Sequence, residues 1–172
     1  MTKKHHALKG IALISLNTSA VLILLLTGLN CNRPDPRTFP KRMDDYQRTR
    51  IITGEEAGRI INRLHENPVA ATRNEIGLYE NDRGQAMIYV SYYKDADEAE
   101  QEWQRMIDKI SIQNSVFIEG TVFLSGQTSV YRCFGLGQTH YVFTEGDRLF
   151  WLSVETIGAA RILSYYLVNL GE

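Results

Sequence analysis

Cys133 and His140 are the side chains of this 172-residue chain whose types and spacing best suit nucleophilic chemistry. Between them lies Gly135-Leu136-Gly137-Gln138, a composition that favours a tight turn. If that turn closes a hairpin in which Phe134 pairs with Thr139, Cys133 stands directly opposite His140. Cross-strand neighbours on one face approach closely enough for an imidazole to activate a thiol. A register shifted by one residue separates the two. The surrounding sequence carries no oxyanion-hole motif and no orienting carboxylate, so ordinary strand packing is the expected role of both. An enzyme whose site joins this pair to distant residues stays as the alternative.

The other reactive side chains give weaker signals. His65 stands near the end of a helical pattern, where an imidazolium complements the helix C-terminus, and no second His or Cys lies at a ligand spacing from it. His5 and His6 belong to a basic flank. The two cysteines, Cys31 and Cys133, are too far apart for a zinc site, which uses closely spaced ligand pairs, and are not expected to form a disulfide. Glu98, Glu100 and Glu102 form a solvated helix face rather than a convergent two-carboxylate site. Gly135-x-Gly137 lacks the rest of a phosphate-binding fingerprint and reads as a turn. No catalytic or metal-binding residue is assigned, and no cofactor is expected.

Aromatic and aliphatic residues supply the binding candidates. Tyr89, Tyr93 and Trp151 share one sheet face if the two central strands are in register. Under a helix layer they are core; on an open face they are a platform for a peptide, a glycan or another subunit. Leu163 and Leu167 lie in a final apolar segment with a single charge, Arg161, and complete the set of partner-binding candidates.

The strongest statement about location comes from the N-terminus. Ile11 to Leu29 is an almost uncharged apolar run behind Lys3, Lys4 and Lys9. As a helix it spans roughly 28 Å, close to a hydrocarbon core. A basic head, an apolar stretch and a polar break make a secretory signal or an N-terminal anchor. Asn17, Thr18 and Ser19 interrupt the run, and no convincing pair of small residues marks a simple cleavage site. Cys31 is a lipidation candidate, because a Cys ends the run and a polar segment follows. It departs from a bacterial lipobox at Asn30 and Gly28, so lipoprotein and uncleaved anchor stand as equals, ahead of a free secreted form. With the N-terminus inside, all three place the rest of the chain on the periplasmic side or the cell surface. The charge balance, 19 Lys+Arg against 20 Asp+Glu, argues against nucleic acid as a partner, which calls for a basic surface.

These residues are positioned by a simple run of elements. Pro34, Pro36 and Pro40 suggest an extended tether. Thr53 can cap a helix with Glu55 and Glu56 in its first turn and Ala57, Ile60, Ile61 and Leu64 on one face, stopped by Pro68. Strands at Ile76–Tyr79 and Ala86–Tyr93 follow, and then an Asp95-capped helix with Ala96, Ala99, Trp103, Met106 and Ile110 on one stripe. Four strands come next, Val116–Leu124, Ser129–Phe134, Thr139–Phe143 and Leu149–Glu155, separated by hairpin signals. Ile157 to Leu170 is an apolar helix that must be covered by the sheet or by a partner. The expected fold is α+β, a mainly antiparallel sheet of about six strands with three helices in the order α-β-β-α-β-β-β-β-α. Residues 1–30 are the signal peptide or membrane anchor, 31–50 a flexible Pro-rich tether and 51–172 the extracytoplasmic domain. A weak echo, two hairpin-then-helix units, suggests helices on one face of the sheet.

This order, with Phe143-x-x-Gly146-Asp147 leading into an aromatic strand, resembles uncharacterised bacterial envelope domains of unknown function from about Ile51 onward. The resemblance implies an α+β domain of the envelope and carries no activity. The sequence is thus read as a membrane-tethered extracytoplasmic binding or assembly module, with a protein partner or self-association expected and no catalysis evident.

Overall fold

The computed structural model describes residues 34–64, 71–112 and 116–171. The apolar run, Cys31, His65 and Pro68 lie outside the described residues. The described chain from Pro34 onward forms one compact unit. Eight strands build one antiparallel sheet: β1 Arg42–Met43, β2 Tyr46–Thr53, β3 Arg73–Asn81, β4 Gly84–Tyr92, β5 Phe117–Ser125, β6 Thr128–Gly135, β7 Gln138–Glu145 and β8 Arg148–Glu155. Their order is β1-β2-β3-β4-β8-β7-β6-β5, so two meanders meet where β4 pairs with β8. Helices α1 (Gly54–Arg63), α2 (Ala96–Ile112) and α3 (Ala159–Gly171) complete the fold. The α+β class, the three helices and the hairpins are as the sequence indicates.

Two strands go beyond that expectation; β1 and the first five residues of β2 lie in the stretch that reads as a tether. β2 is rich in long polar side chains (Tyr46-Gln47-Arg48-Thr49-Arg50), which mask its alternation, and β1 is too short to leave a pattern. The prolines do not free the segment. Phe39, Met43 and Tyr46 are buried in the main core with Tyr79 and Tyr166. The hydroxyl of Tyr166 donates to the Thr38 carbonyl at 2.7 Å and that of Tyr79 to the Pro40 carbonyl at 3.1 Å. The domain therefore begins by Pro34 rather than Ile51, and residues 34–50 are not a flexible linker.

The helices also divide differently from the expectation of one covered face. Register puts Ile76, Tyr89, Trp151, Val142 and Tyr131 in one cross-strand row. On that side Ile52 of β2 and Ile76 pack against Ala57 and Ile61 of α1, and the row packs against α2 through Ala99, Trp103 and Ile107. The opposite side, with Ile88, Val90, Phe143, Phe150 and Leu152, packs against α3 through Ile162, Leu163 and Tyr166. Both faces of the central strands are apolar, so both require a cover.

Local signals account for the helices. Asp95 accepts the Glu98 backbone N–H through Oδ1 at 2.9 Å, and Glu98 reaches back to the Lys94 N–H at 2.9 Å, so two otherwise orphaned donors are satisfied at the α2 start. Thr53 is the N-cap residue of α1 by position but makes no side-chain capping bond.

Candidate functional site

The β6–β7 hairpin has the register that brings the reactive pair together: Phe134 is opposite Thr139 and Cys133 opposite His140. A two-residue turn closes it, with Leu136 at φ 52° and Gly137 at φ 77°, the left-handed pair that matches strand twist. Proximity does not make a dyad here. The indole N–H of Trp151 donates to His140 Nδ1 at 3.0 Å, and His140 Nε2 lies 2.9 Å from the Gly135 carbonyl. An indole N–H can only donate and a carbonyl can only accept, so the ring is the neutral Nε2–H tautomer with its one lone pair occupied. No basic nitrogen remains to take a thiol proton. Burial holds the His140 pKa below its ordinary value, opposed by the Gly135 bond, and pushes the Cys133 thiol up to about 11. Both side chains are buried in this geometry.

The same side of the sheet carries a different kind of site. Between α1 and α2 the helix layer parts over the middle of β4, β8 and β7, leaving a pocket of about 290 Å³. Its floor is a cross-strand row, Met87–Ser153–His140, beside the Tyr89–Trp151 pair. Ile61 and Leu64 come from the α1 end and Met106 from α2, with Phe117 of β5 completing the wall. Phe117 meets His140 edge-on at 4.9 Å between ring centres and Trp151 at 5.4 Å, while His140 and Trp151 are 5.5 Å apart. These rings brace one another in the edge-to-face arrangement their quadrupoles favour. None of the described lining residues carries a fixed charge.

One polar atom in this floor has no partner among the described residues. The Ser153 hydroxyl is buried and makes no hydrogen bond among the described residues. A buried hydroxyl left unpaired costs about 1–3 kcal/mol, so a chain that keeps Ser here forgoes stability that Ala would recover. Among the described residues the Tyr89 hydroxyl has only a soft partner, the Met87 sulfur at 3.3 Å.

The partner-binding candidates divide across these surroundings. Tyr89 and Trp151 are paired, half-buried and in the pocket. Tyr93 shares their side but is buried under α2 with Ala99 and Trp103, so it is core and not a platform. Leu163 is buried against the sheet, and Leu167 is half-buried against the same cluster. The domain's own sheet covers that face of α3, which withdraws Leu163 as a partner-binding residue. Met87, Phe117, His140 and Ser153 enter the site only through register. Their one signal in the sequence is the mixed face of the last strand, where Trp151 and Ser153 alternate with Phe150 and Leu152. A separate polar cluster sits on the α3 side: buried Glu75 accepts the Tyr92 hydroxyl at 2.7 Å and lies 3.7 Å from Arg73. Arg73 in turn stacks over the Tyr92 ring, a closed arrangement that satisfies the carboxylate within the fold.

No family model matches the chain, and no curated protein matches it in sequence. Among solved structures, the fold resembles the crystal structure of a GTP binding regulator from Thermotoga maritima. The two are 14% identical in sequence with a TM-score of 0.51, over 77% of this chain and 82% of that one. At that identity the likeness speaks for the fold alone.

Proposed function

We propose that this protein is a membrane-tethered extracytoplasmic binding module of the bacterial envelope, and that its ligand site is the pocket between α1 and α2. The Ile11–Leu29 run behind three lysines supports the tether. The observation that carries binding over catalysis is the pocket's polar inventory: a hydroxyl without a partner among the described residues and an imidazole with both nitrogens engaged. Such a site can hold a molecule, and its described lining residues offer no free base to activate one. A nucleoside triphosphate does not suit it, because the described lining offers no cation for phosphate.

Two measurements test the reading. In a fractionated native host the full-length protein pellets with membranes, and Cys31→Ala abolishes fatty-acid incorporation if Cys31 is the attachment point. Recovery wholly in the soluble fraction rejects the tether. For the pocket, an organic extract of the host envelope raises the melting temperature of the wild type but not of Met87→Trp, which fills the cavity. An equal rise in both proteins rejects the pocket as the site.

One observation favours self-association as a second reading. β5 is an edge strand of nine residues with Ile118, Val122 and Leu124 exposed, whereas β1 at the other edge has two. An unprotected apolar edge invites strand pairing. Val122→Lys then returns a dimer to monomer, and a wild type that stays monomeric at high concentration removes this reading.

A further inference from the structure

Resting on the self-association of β5 given above as the second reading, we propose that two copies of this chain pair antiparallel along Thr121–Ser125, with the twofold axis at Phe123. β5 is one edge of the sheet, and among the described residues no strand pairs with its outer side. A bulge between Ile118 and Thr121 breaks that edge in two. It is fixed in place: the Gly120 N–H donates to the Tyr131 hydroxyl at 3.0 Å, and a Cβ at Gly120 would collide with the Arg132 carbonyl. Such a kink turns the start of an edge strand away from a straight partner, so the regular stretch from Thr121 to Ser125 is what a second strand can join. That stretch holds neither charge nor proline, the usual devices against pairing. Val122 and Leu124 within it are 51% and 71% exposed.

The occupant follows from the order of the side chains. Thr121-Val122-Phe123-Leu124-Ser125 reads the same by class in both directions: hydroxyl, aliphatic, aromatic, aliphatic, hydroxyl. An antiparallel copy centred on Phe123 therefore sets Thr121 against Ser125, Val122 against Leu124 and Phe123 against itself, each a favourable cross-strand pair. A contact of that symmetry is isologous and closes as a dimer. Backbone phase agrees. The two-residue turn Gly126-Gln127 closes on the Ser125–Thr128 pair, which exchanges both hydrogen bonds. Alternation from there points the N–H and C=O of Val122 and Leu124 away from β6. In the dimer those two residues meet each other and exchange their free backbone bonds. A centre moved to Val122 sets Leu124 against Gly120 in the bulge, and a centre moved to Leu124 sets Val122 against Gly126 in the turn.

Oxidative cross-linking of the full-length protein in detergent tests the register, and equilibrium sedimentation of the same samples tests the dimer. All variants carry Cys31→Ser, which leaves buried Cys133 as the one native thiol. Phe123→Cys should cross-link to a dimer, because a residue on the axis faces its copy across a non-hydrogen-bonded pair, at a Cα separation of about 4.5 Å that a disulfide accepts. Val122→Cys and Leu124→Cys, each alone, should cross-link at least roughly tenfold more slowly. Thr121→Cys and Ser125→Cys, mild changes at the strand ends, should cross-link when the two proteins are mixed and far less when either is alone. This mixed pair decides the register if Phe123→Cys fails to fold. A protein that sediments as a monomer at every concentration overturns the self-association and the register together. A dimer in which Val122→Cys or Leu124→Cys reacts fastest, or in which the mixed pair does not react, keeps self-association and overturns the axis at Phe123.

Discussion

Because the Trp151 indole can only donate, the imidazole that receives it is fixed as a neutral ring, and this gives the fold a dependence on pH. Burial, partly offset by the bond to Gly135, lowers the folded pKa of His140 from its ordinary 6.5. Below that value the unfolded chain takes up a proton that the folded chain refuses. The contribution is therefore complete above about pH 6.5 and is lost as pH falls from there toward the folded pKa, at no more than about 1.4 kcal/mol per pH unit. Urea unfolding followed by circular dichroism from pH 7.5 down to 5 measures this. His140→Phe should flatten the slope relative to wild type; an unchanged slope assigns it to other groups. Cys133 gives a companion test. With its pKa pushed up to about 11 by burial, the native thiol should react with iodoacetamide far more slowly than the denatured one at pH 8. Rapid modification of the native protein would return the activated-thiol alternative. Of this residue-scale picture, the facing of Cys133 and His140 is legible from turn composition. The partner that disarms the pair is not, because Trp151 comes from β8 and reaches His140 only through sheet register.

At the scale of elements, legibility tracks how local each signal is. Hairpins and the α2 cap rest on residues a few positions apart, and the sequence shows them directly. Asp95→Ala and Glu98→Ala should each cost about 1 kcal/mol in chemical denaturation, and no loss would mean that neighbouring groups replace the cap. The side on which each helix docks depends on which sheet face is already filled, a long-range fact with no local signature. For α3 the pattern shows only that its apolar residues need cover. The structure supplies that cover through Phe143, Phe150 and Leu152. Leu163→Ala should therefore destabilise by roughly 2–5 kcal/mol without changing oligomeric state. Leu167→Ala, half-buried, should cost clearly less. Equal and small effects, with loss of a dimer, would instead make α3 an interface.

On the scale of the whole molecule, the decisive segment is residues 34–50, which the prolines make look like a linker and the core claims as its own. Phe39, Met43 and Tyr46 are buried there, and each large apolar side chain contributes roughly 1.5–3 kcal/mol when removed from water. The segment also accepts the hydroxyls of Tyr166 and Tyr79, and Thr38 Oγ1 accepts from Arg148 at 2.8 Å. Removing those acceptors strands the buried Tyr166 donor, at about 1–3 kcal/mol. The sum is comparable with the whole stability of an ordinary domain, about 5–15 kcal/mol. A chain beginning at Pro34 should thus melt cooperatively, and one beginning at Ile51 should not. Phe39→Ala in the full-length protein, expected to lose about 3–5 kcal/mol, separates the packing contribution from the strand lost with β1 and the start of β2. If the chain from Ile51 melts cooperatively at the temperature of the longer one, residues 34–50 are an accessory and the domain boundary returns to Ile51. If it unfolds while Phe39→Ala is neutral, the strand pairing of β2 with β3, not the buried side chains, is what the segment supplies.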